Sequence, residues 1–244
     1  MKVEIWSDYV CPFCYIGKRR FEEALASLPF AGEVEVVFRS FELDPRAPKD
    51  APYDVMEMLS KKYGTSREQA RQMNVSVAAQ AKEVGLTYNY DAWVVTNTFD
   101  AHRLAHYAAA RGKAAELTER LMYAYFTEGK FIGDRATLAA LAAEVGLDQA
   151  EAASMLESDD YADAVRADEQ DGAALGIRGV PFFVIDRKYG ISGAQPTATF
   201  VGALREAWDE SRPSLSMVGD AGGGAGDACA ADGCAVPDAP AGKE

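Results

Sequence analysis

The stretch Ser7-Asp8-Tyr9-Val10-Cys11-Pro12-Phe13-Cys14 decides the fold prediction for this 244-residue chain. It follows an apolar run, Val3–Trp6, that is typical of a buried strand, and a helical pattern begins directly after it. Two cysteines three positions apart at the start of a helix lie close enough to form a disulfide. The amide groups and the dipole of a helix N-terminus favour a thiolate, which is the attacking group in disulfide exchange. The stretch therefore predicts a redox pair, with Cys11 as the nucleophile and Cys14 as its partner.

The segments around this pair predict β-containing ends. Residues 3–7, 12–28 and 34–39 have the patterns of a strand, a helix and a strand, an order that favours parallel strands. Residues 179–185 and 189–193 have the pattern of a hairpin, and a helix over residues 197–209 follows it.

The centre of the chain is predicted to be helical throughout. Its predicted helices cover residues 53–63, 66–84, 97–111, 114–127, 134–145, 148–156 and 159–175. These patterns divide the chain into residues 1–52 with 176–212, which form a discontinuous α/β domain, and residues 53–175, a helical insertion. Residues 213–244 are rich in Gly, Ala and acidic residues, which predicts a flexible tail.

Composition and charge exclude several classes of function. The net charge is −13 and no basic stripe is present, which argues against nucleic acid or an anionic membrane surface as a partner. No apolar run reaches the roughly 18 residues of a membrane span. Because Met1 leads directly into a strand with no apolar signal core, we expect a cytoplasmic protein. We expect no cofactor.

Four groups of residues resemble a known family. They are the stretch from Ser7 to Gly17 around the Cys-Pro-Phe-Cys motif, Asn97-Thr98 with Ala101-His102-Arg103, Gly179-Val180-Pro181-Phe182-Phe183, and Ile191-Ser192-Gly193-Ala194-Gln195. Together with the β-α-β and β-β-α ends, they resemble the thioredoxin fold of the DsbA-like branch, and within it the FrnE group. The resemblance covers roughly residues 2–210 and implies a thioredoxin fold with a large helical insertion.

The resemblance also implies an activity and its residues. Cys11 would attack a disulfide and Cys14 would resolve the mixed disulfide, as in thiol–disulfide oxidoreductases and protein disulfide isomerases. The Val180–Pro181 bond would be cis and would lie beside the cysteines, where the Val180 backbone pairs with a substrate strand. The implied partners are protein substrates with disulfides or free thiols, and a cellular thiol reductant.

Two positions depart from the better-known relatives. Phe13 stands where DsbA-type oxidases carry a His that stabilises the thiolate, and Ile5 stands where thioredoxin and DsbA carry a buried acid. Both departures favour a reductase or isomerase over a dedicated oxidase. Asp8 is a nearer acid, and either structural capping or proton relay would explain it.

Two other functions are alternatives to thiol–disulfide exchange. Glutathione transferases of the kappa class and 2-hydroxychromene-2-carboxylate isomerases resemble this branch, but their first Cys position is typically Ser and glutathione supplies the sulfur. The presence of Cys14 favours a dithiol cycle over these enzymes. A peptide-binding chaperone with a vestigial Cys-x-x-Cys is the non-enzyme alternative.

His102 and His106 lie four residues apart on one predicted helix, a spacing that suits a metal. No third ligand is evident, so we predict no metal site and expect ordinary core or interface histidines. His102 is also a candidate for stabilising the Cys11 thiolate, because it falls within a segment that resembles the family.

Cys229 and Cys234 form a second pair within the tail. Asp232 and Gly233 allow a tight turn between them. A Gly-rich chain of about 17 residues has a reach of roughly 23 Å, comparable to the domain's radius of gyration of about 18 Å. We predict a second redox pair that exchanges electrons with Cys11 and Cys14. Two ligands of a metal site, or an incidental pair, are the alternatives.

Overall fold

Four strands form one mixed sheet. They are β1 (Lys2–Ser7), β2 (Glu35–Ser40), β3 (Phe182–Ile185) and β4 (Tyr189–Ser192), and their order across the sheet is β2-β1-β3-β4. β1 pairs with β2 in parallel and with β3 in antiparallel orientation, and β3 and β4 form an antiparallel hairpin. The predicted parallel pair and the predicted hairpin are both confirmed.

The computed structural model describes residues 1–212, and these form one compact unit. The predicted tail, 213–244, lies outside the described residues, and so does the second cysteine pair, Cys229 and Cys234. No helix in the described part of the chain is long and apolar enough to cross a membrane.

Two α-helices lie in the β-containing ends, and seven lie between β2 and β3. The first two are α1 (Pro12–Ala26) and α9 (Thr197–Ser211). The other seven are α2 (Val55–Tyr63), α3 (Arg67–Glu83), α4 (Phe99–Ala109), α5 (Ala114–Phe126), α6 (Arg135–Glu144), α7 (Gln149–Glu157) and α8 (Ala162–Ala174). The predicted β-α-β and β-β-α order of the thioredoxin fold, interrupted by helices, is present. The assignment of residues 53–175 as a separate domain stays a prediction.

Local signals placed most helix starts correctly. Ser66 begins α3 with a capping box. Asp134 accepts a hydrogen bond from the Thr137 amide at 2.7 Å, and Asp148 caps α7 in the same way. Most other element ends differ from the prediction by no more than two residues, which is the usual uncertainty of an end.

Two predicted starts were wrong by three residues. Helix α8 begins at Ala162 rather than at residue 159, because Tyr161 has a left-handed backbone with φ of 63°. Strand β3 begins at Phe182 rather than at residue 179, because its pairing with β1 ends at Trp6 opposite Phe182. Pro181 has no amide hydrogen with which to continue the ladder.

The two faces of β1 contact different parts of the chain, because side chains alternate along a strand. Val3 and Ile5 belong to an apolar cluster with residues of α1 and α9. Trp6 belongs to a cluster on the opposite face, and its Nε1 donates to the backbone oxygen of Asp168 at 2.8 Å. Helices thus cover both faces of the strand that leads to the cysteines.

The Asp168 carboxylate joins α8 to β2 and α4. Its Oδ1 accepts from Arg39 at 2.8 Å, and its Oδ2 accepts from the Ser40 amide at 2.9 Å and lies 3.1 Å from His106 Nε2. Burial by itself raises the pKa of Asp168, but His106, Ser40 and Arg39 together hold that pKa below its usual value. The charged form of Asp168 therefore stabilises the attachment of the helical block to the sheet.

We predict that Asp168→Asn lowers the free energy of unfolding by about 3 kcal/mol at pH 7, because it leaves buried cationic and polar groups without their anion. Because the folded-state pKa is depressed, this contribution is present above about pH 4 and is lost as the pH falls through that lowered pKa. The difference between wild type and variant should therefore shrink below about pH 4. Urea unfolding followed by circular dichroism at several pH values measures it.

Asp171→Asn is the matched control on the same helix. The Asp171 side chain is 39% exposed, against 5% for Asp168, although Asp171 also pairs with an arginine, Arg187. Exposed ion pairs contribute about 0–1 kcal/mol, so this variant should unfold nearly as the wild type does. Equal losses in the two variants would contradict the role given to Asp168.

Candidate active site

The two cysteines stand at the start of α1, immediately beyond the end of β1. Cys11 is the N-cap residue, Pro12 is the first helical residue, and the Cys14 amide donates to the Cys11 oxygen at 3.0 Å. The Cys11 amide in turn donates to the Asp8 oxygen at 3.2 Å. Both sulfurs are free thiols and both residues are buried. The structure thus brings the predicted pair together at a helix N-terminus.

The environment of Cys14 favours its protonated form. Burial is the largest influence and raises the pKa of the Cys14 thiol well above its usual value, and the neighbouring Cys11 sulfur raises it further. The Ser7 hydroxyl and the Asp8 amide lie near the Cys14 sulfur and act in the opposite direction, because they stabilise a thiolate. Cys14 is therefore a thiol that needs a proton acceptor before it can attack.

The loop before β3 lies against Cys11. The Val180–Pro181 peptide bond is cis, as the resemblance implied. The Cys11 thiol donates to the Val180 oxygen, with 3.6 Å between Sγ and O. Val180 and Pro181 are thus placed beside the cysteine that is expected to attack.

Two glycines determine how closely this loop approaches α1. The Gly193 amide donates to the Pro181 oxygen at 2.8 Å, and Gly193 has a φ of 82°, which favours glycine. A Cβ on Gly17 would lie 3.0 Å from Pro181 Cγ and 3.4 Å from the Ala194 Cα. Both glycines belong to the motifs that carried the resemblance.

The two positions that depart from the relatives bring no charge to the site. Phe13 is 40% exposed, and Ile5 is buried in the apolar cluster below the sheet. Within residues 1–212, the Val180 carbonyl is the hydrogen-bond partner of the Cys11 thiol, and no charged side chain bonds to it.

Asp8 and His102 face each other. The Asp8 carboxylate does not cap α1; its Oδ2 accepts from the Leu43 amide at 2.7 Å, which holds the chain after β2. The other oxygen, Oδ1, lies 3.4 Å from His102 Nε2. Both side chains are almost fully buried. The predicted contact of His102 with Cys11 is not among the hydrogen bonds of the described residues, and Asp8 is its charged neighbour instead.

His106 faces a different partner from His102. Its Nε2 lies 3.1 Å from Asp168 Oδ2 and 3.1 Å from Ser40 Oγ. In residues 1–212, no group of three or more His, Cys, Asp or Glu side chains could hold a metal ion. Each histidine instead faces its own aspartate.

Ser7 and Thr118 were not among the functional residues predicted from the sequence. Both have a buried hydroxyl with no hydrogen-bond partner, and both line one small cavity with His102. The available signal was weak: Ser7 ends an apolar strand, and Thr118 interrupts the apolar stripe of α5. Their proximity depends on tertiary packing, so local patterns could not show it.

We predict that Gly17→Val destabilises the chain by about 1–3 kcal/mol and slows disulfide exchange, because the new side chain displaces Pro181 from its place beside Cys11. Gly202→Val is the control, since a Cβ on Gly202 in α9 meets nothing within 4 Å. Thermal unfolding and the rate of disulfide reduction should separate the two variants. Equal behaviour would mean that the loop does not depend on Gly17.

Comparison with known proteins agrees with this arrangement. A family model of the DsbA-like thioredoxin domain matches residues 2–205. YwbO of Bacillus subtilis (strain 168) is 34% identical over 185 residues, which cover 75% of this chain and 86% of YwbO.

Two solved structures extend the comparison. The crystal structure of a probable DsbA oxidoreductase from Streptomyces coelicolor is 47% identical with a TM-score of 0.84, over 98% of this chain and 100% of that one. The cytosolic disulfide reductase DsbM from Pseudomonas aeruginosa, solved with GSH, shares the fold at 18% identity with a TM-score of 0.61, over 86% and 100%. The family match includes all four strands and the cysteine pair, and we conclude that this chain belongs to the DsbA-like thioredoxin-domain family.

Proposed function

We propose that the protein is a cytoplasmic thiol–disulfide oxidoreductase that reduces or isomerises disulfides of protein substrates. Membership in the DsbA-like family supports thiol–disulfide oxidoreductase activity in general. The observation that carries the proposal is the pair of buried thiols at the start of α1, with the Val180 oxygen 3.6 Å from Cys11 Sγ.

The reaction uses the two thiols in sequence. The Cys11 thiolate attacks one sulfur of a substrate disulfide, forms a mixed disulfide and releases the other substrate sulfur as a thiolate. Cys14 then loses its proton and attacks the Cys11 sulfur, so that the substrate leaves reduced and the enzyme is oxidised by two electrons. In isomerisation, another substrate thiol displaces Cys11 first. We assign Val180 and Pro181 to the loop that holds the substrate strand.

The absence of charge at Phe13 and Ile5 favours reduction of substrate disulfides over their oxidation. A strong oxidant needs a stabilised thiolate, and Phe13 supplies neither charge nor hydrogen bond to one. Ile5 is equally apolar. We therefore propose net reduction or isomerisation, with a cellular thiol reductant that regenerates Cys11 and Cys14. We propose no cofactor, and neither nucleic acid nor a membrane as a partner. Membership of the FrnE group stays a prediction.

Single replacements of the two cysteines test the proposal. Cys11→Ser should reduce insulin no faster than the uncatalysed background, because the attacking sulfur is lost. Cys14→Ser should accumulate a mixed disulfide with the substrate, because the resolving thiol is lost. Insulin turbidity measures the first result, and non-reducing electrophoresis with mass spectrometry measures the second.

The same variants separate the alternatives. A glutathione-dependent isomerase would keep its activity on a small aromatic substrate in Cys14→Ser. A chaperone would suppress aggregation equally well in wild type and in Cys11→Ser, and would reduce no insulin. Either pattern in place of the expected one would contradict the proposed function.

The reduction potential of Cys11 and Cys14 is expected to be clearly more negative than the about −120 mV of DsbA, and closer to the about −270 mV of thioredoxin. The physical reason is that no charged side chain in the described residues bonds to Cys11. Equilibration with glutathione, followed by mass spectrometry of alkylated thiols, measures it. A value near that of DsbA would show a dedicated oxidase.

The titration should be made in the full chain and in a variant with Cys229→Ser and Cys234→Ser. We propose that the tail pair exchanges electrons with Cys11 and Cys14, aided by a tethered concentration on the order of millimolar. The double replacement should then slow the re-reduction of Cys11 and Cys14. An unchanged rate would reject the exchange while leaving the assignment of the first pair intact.

A further inference from the structure

Four polar atoms without hydrogen-bond partners gather at one place in the core. They are Ser7 Oγ, Asp8 Oδ1, His102 Nε2 and Thr118 Oγ1. Buried polar groups in proteins are nearly always paired, so four unpaired atoms in one small volume require an explanation. Two of these residues also adjoin Cys14, because the Ser7 hydroxyl and the Asp8 amide lie close enough to its sulfur to lower the pKa of that thiol.

A cavity connects three of these residues, and the fourth, Asp8, faces one of them, His102. It has a volume of about 30 Å³, and its walls include Ser7, His102 and Thr118. Such a volume has room for one or two water molecules, and the polar wall atoms can bind them. The cavity extends along α4 to His106, whose side chain is 21% exposed. It therefore provides a polar path from the neighbourhood of Cys14 to His102.

The resolving step needs such a path. Burial raises the pKa of the Cys14 thiol, so its sulfur is still protonated when the mixed disulfide between Cys11 and the substrate has formed. The position that holds a buried acid in thioredoxin is occupied by Ile5, which is buried in an apolar cluster. The proton must therefore go to another group.

His102 has the features of that group. An imidazole accepts a proton in the physiological range of pH, and an adjacent carboxylate stabilises the imidazolium that results. Asp8 supplies this carboxylate at 3.4 Å, and its bond to the Leu43 amide holds it in place. The Tyr9 ring lies 4.9 Å from the His102 ring. Burial raises the pKa of Tyr9, so its phenol keeps its own proton and does not accept the proton of Cys14.

We propose that His102 accepts the Cys14 proton through Ser7 and water in the cavity, with Asp8 as the residue that positions and stabilises it. This inference rests on the proposed function, because it concerns the resolving step of thiol–disulfide exchange. The proton moves from Cys14 Sγ to the imidazole. The Cys14 thiolate then forms a bond to Cys11 Sγ, and the bond between Cys11 and the substrate sulfur breaks, so that the substrate leaves with the electron pair as a thiolate. In the reverse direction His102 returns the proton to Cys14.

The ionisable groups that surround His102 belong to several elements. Asp8 and Tyr9 follow β1, and Glu42 follows β2 and lies close enough for His102 to influence its pKa. Arg39 and His106 line the same cavity, with Asp168 paired to both of them. Of these groups, Asp8 is the acid that lies within 4 Å of His102.

A two-step colour reaction separates attack from resolution. The reduced full chain, with Cys229→Ser and Cys234→Ser in every sample, is mixed with 5,5′-dithiobis(2-nitrobenzoate) in a stopped-flow instrument. Attack by Cys11 releases the first nitrothiobenzoate, and attack by Cys14 on the mixed disulfide releases the second. His102→Gln should leave the first release unchanged and slow the second by about 10²-fold, the low end of what general acid–base catalysis contributes.

The pH profile distinguishes proton transfer from a structural role. In the wild type the second release should already be fast near neutral pH, because an imidazole can accept the Cys14 proton. In His102→Gln it should become fast only at more alkaline pH, where the thiol ionises without help. His106→Gln is the matched control: it lies on the same helix, lines the same cavity and also faces an aspartate. It should keep both rates and the wild-type profile.

Two further variants keep the test decisive if His102→Gln does not fold, as judged by circular dichroism. Asp8→Asn retains an acceptor for the Leu43 amide, and Ser7→Ala removes the hydroxyl that faces Cys14. Both should slow only the second release. A second release at the wild-type rate and pH profile in the folded variants would overturn the role of His102. If the wild type released no second equivalent at all, the proposed function itself would fail.

Discussion

The antiparallel pairing of β1 with β3 is the constraint on which the redox site depends. The last pair of this ladder joins Trp6 to Phe182, so β1 ends and β3 begins at the same end of the sheet. The chain beyond Trp6 leads to Cys11, and the chain before Phe182 contains Val180 and Pro181. A carbonyl 169 residues away in sequence therefore lies 3.6 Å from the Cys11 sulfur. The approach of α1 to this loop, without a side chain at Gly17, completes the geometry.

The buried carboxylates of Asp168 and Asp8 have two different roles next to this sheet. Asp168 is surrounded by Arg39, the Ser40 amide and His106, so its charge is compensated and it links the helical block to the sheet. Asp8 and His102 are less fully paired, with one oxygen and one nitrogen that have no hydrogen bond. Incompletely satisfied polar groups lower stability, and a catalytic role or a bound water can explain why a protein retains them. This contrast distinguishes the structural pair, Asp168 with His106, from the pair proposed for proton transfer, Asp8 with His102.

Local physics explains which predictions succeeded. The capping side chains of Ser66, Asp134 and Asp148 satisfy helix amides only a few residues away, so their effect can be read from neighbouring residues. The β3–β4 hairpin was predicted from the two strand patterns, and in its turn Asp186 and Arg187 adopt the positive φ that such hairpins require. The starts of α8 and β3 were wrong because a left-handed Tyr161 and the end of the β1 ladder are set by tertiary contacts.

The redox pair and the order of strands and helices could be predicted from the sequence, and a resemblance of short motifs led to Val180 and Pro181. These depend on spacing, periodicity and short motifs, which act over a few residues. Tertiary packing, by contrast, brings Asp8 opposite His102, places Ser7 and Thr118 around a cavity with His102, and buries Ile5 in an apolar cluster. The physical reason is that burial and pairing of a polar side chain depend on which distant elements pack against it, and no local pattern encodes that choice.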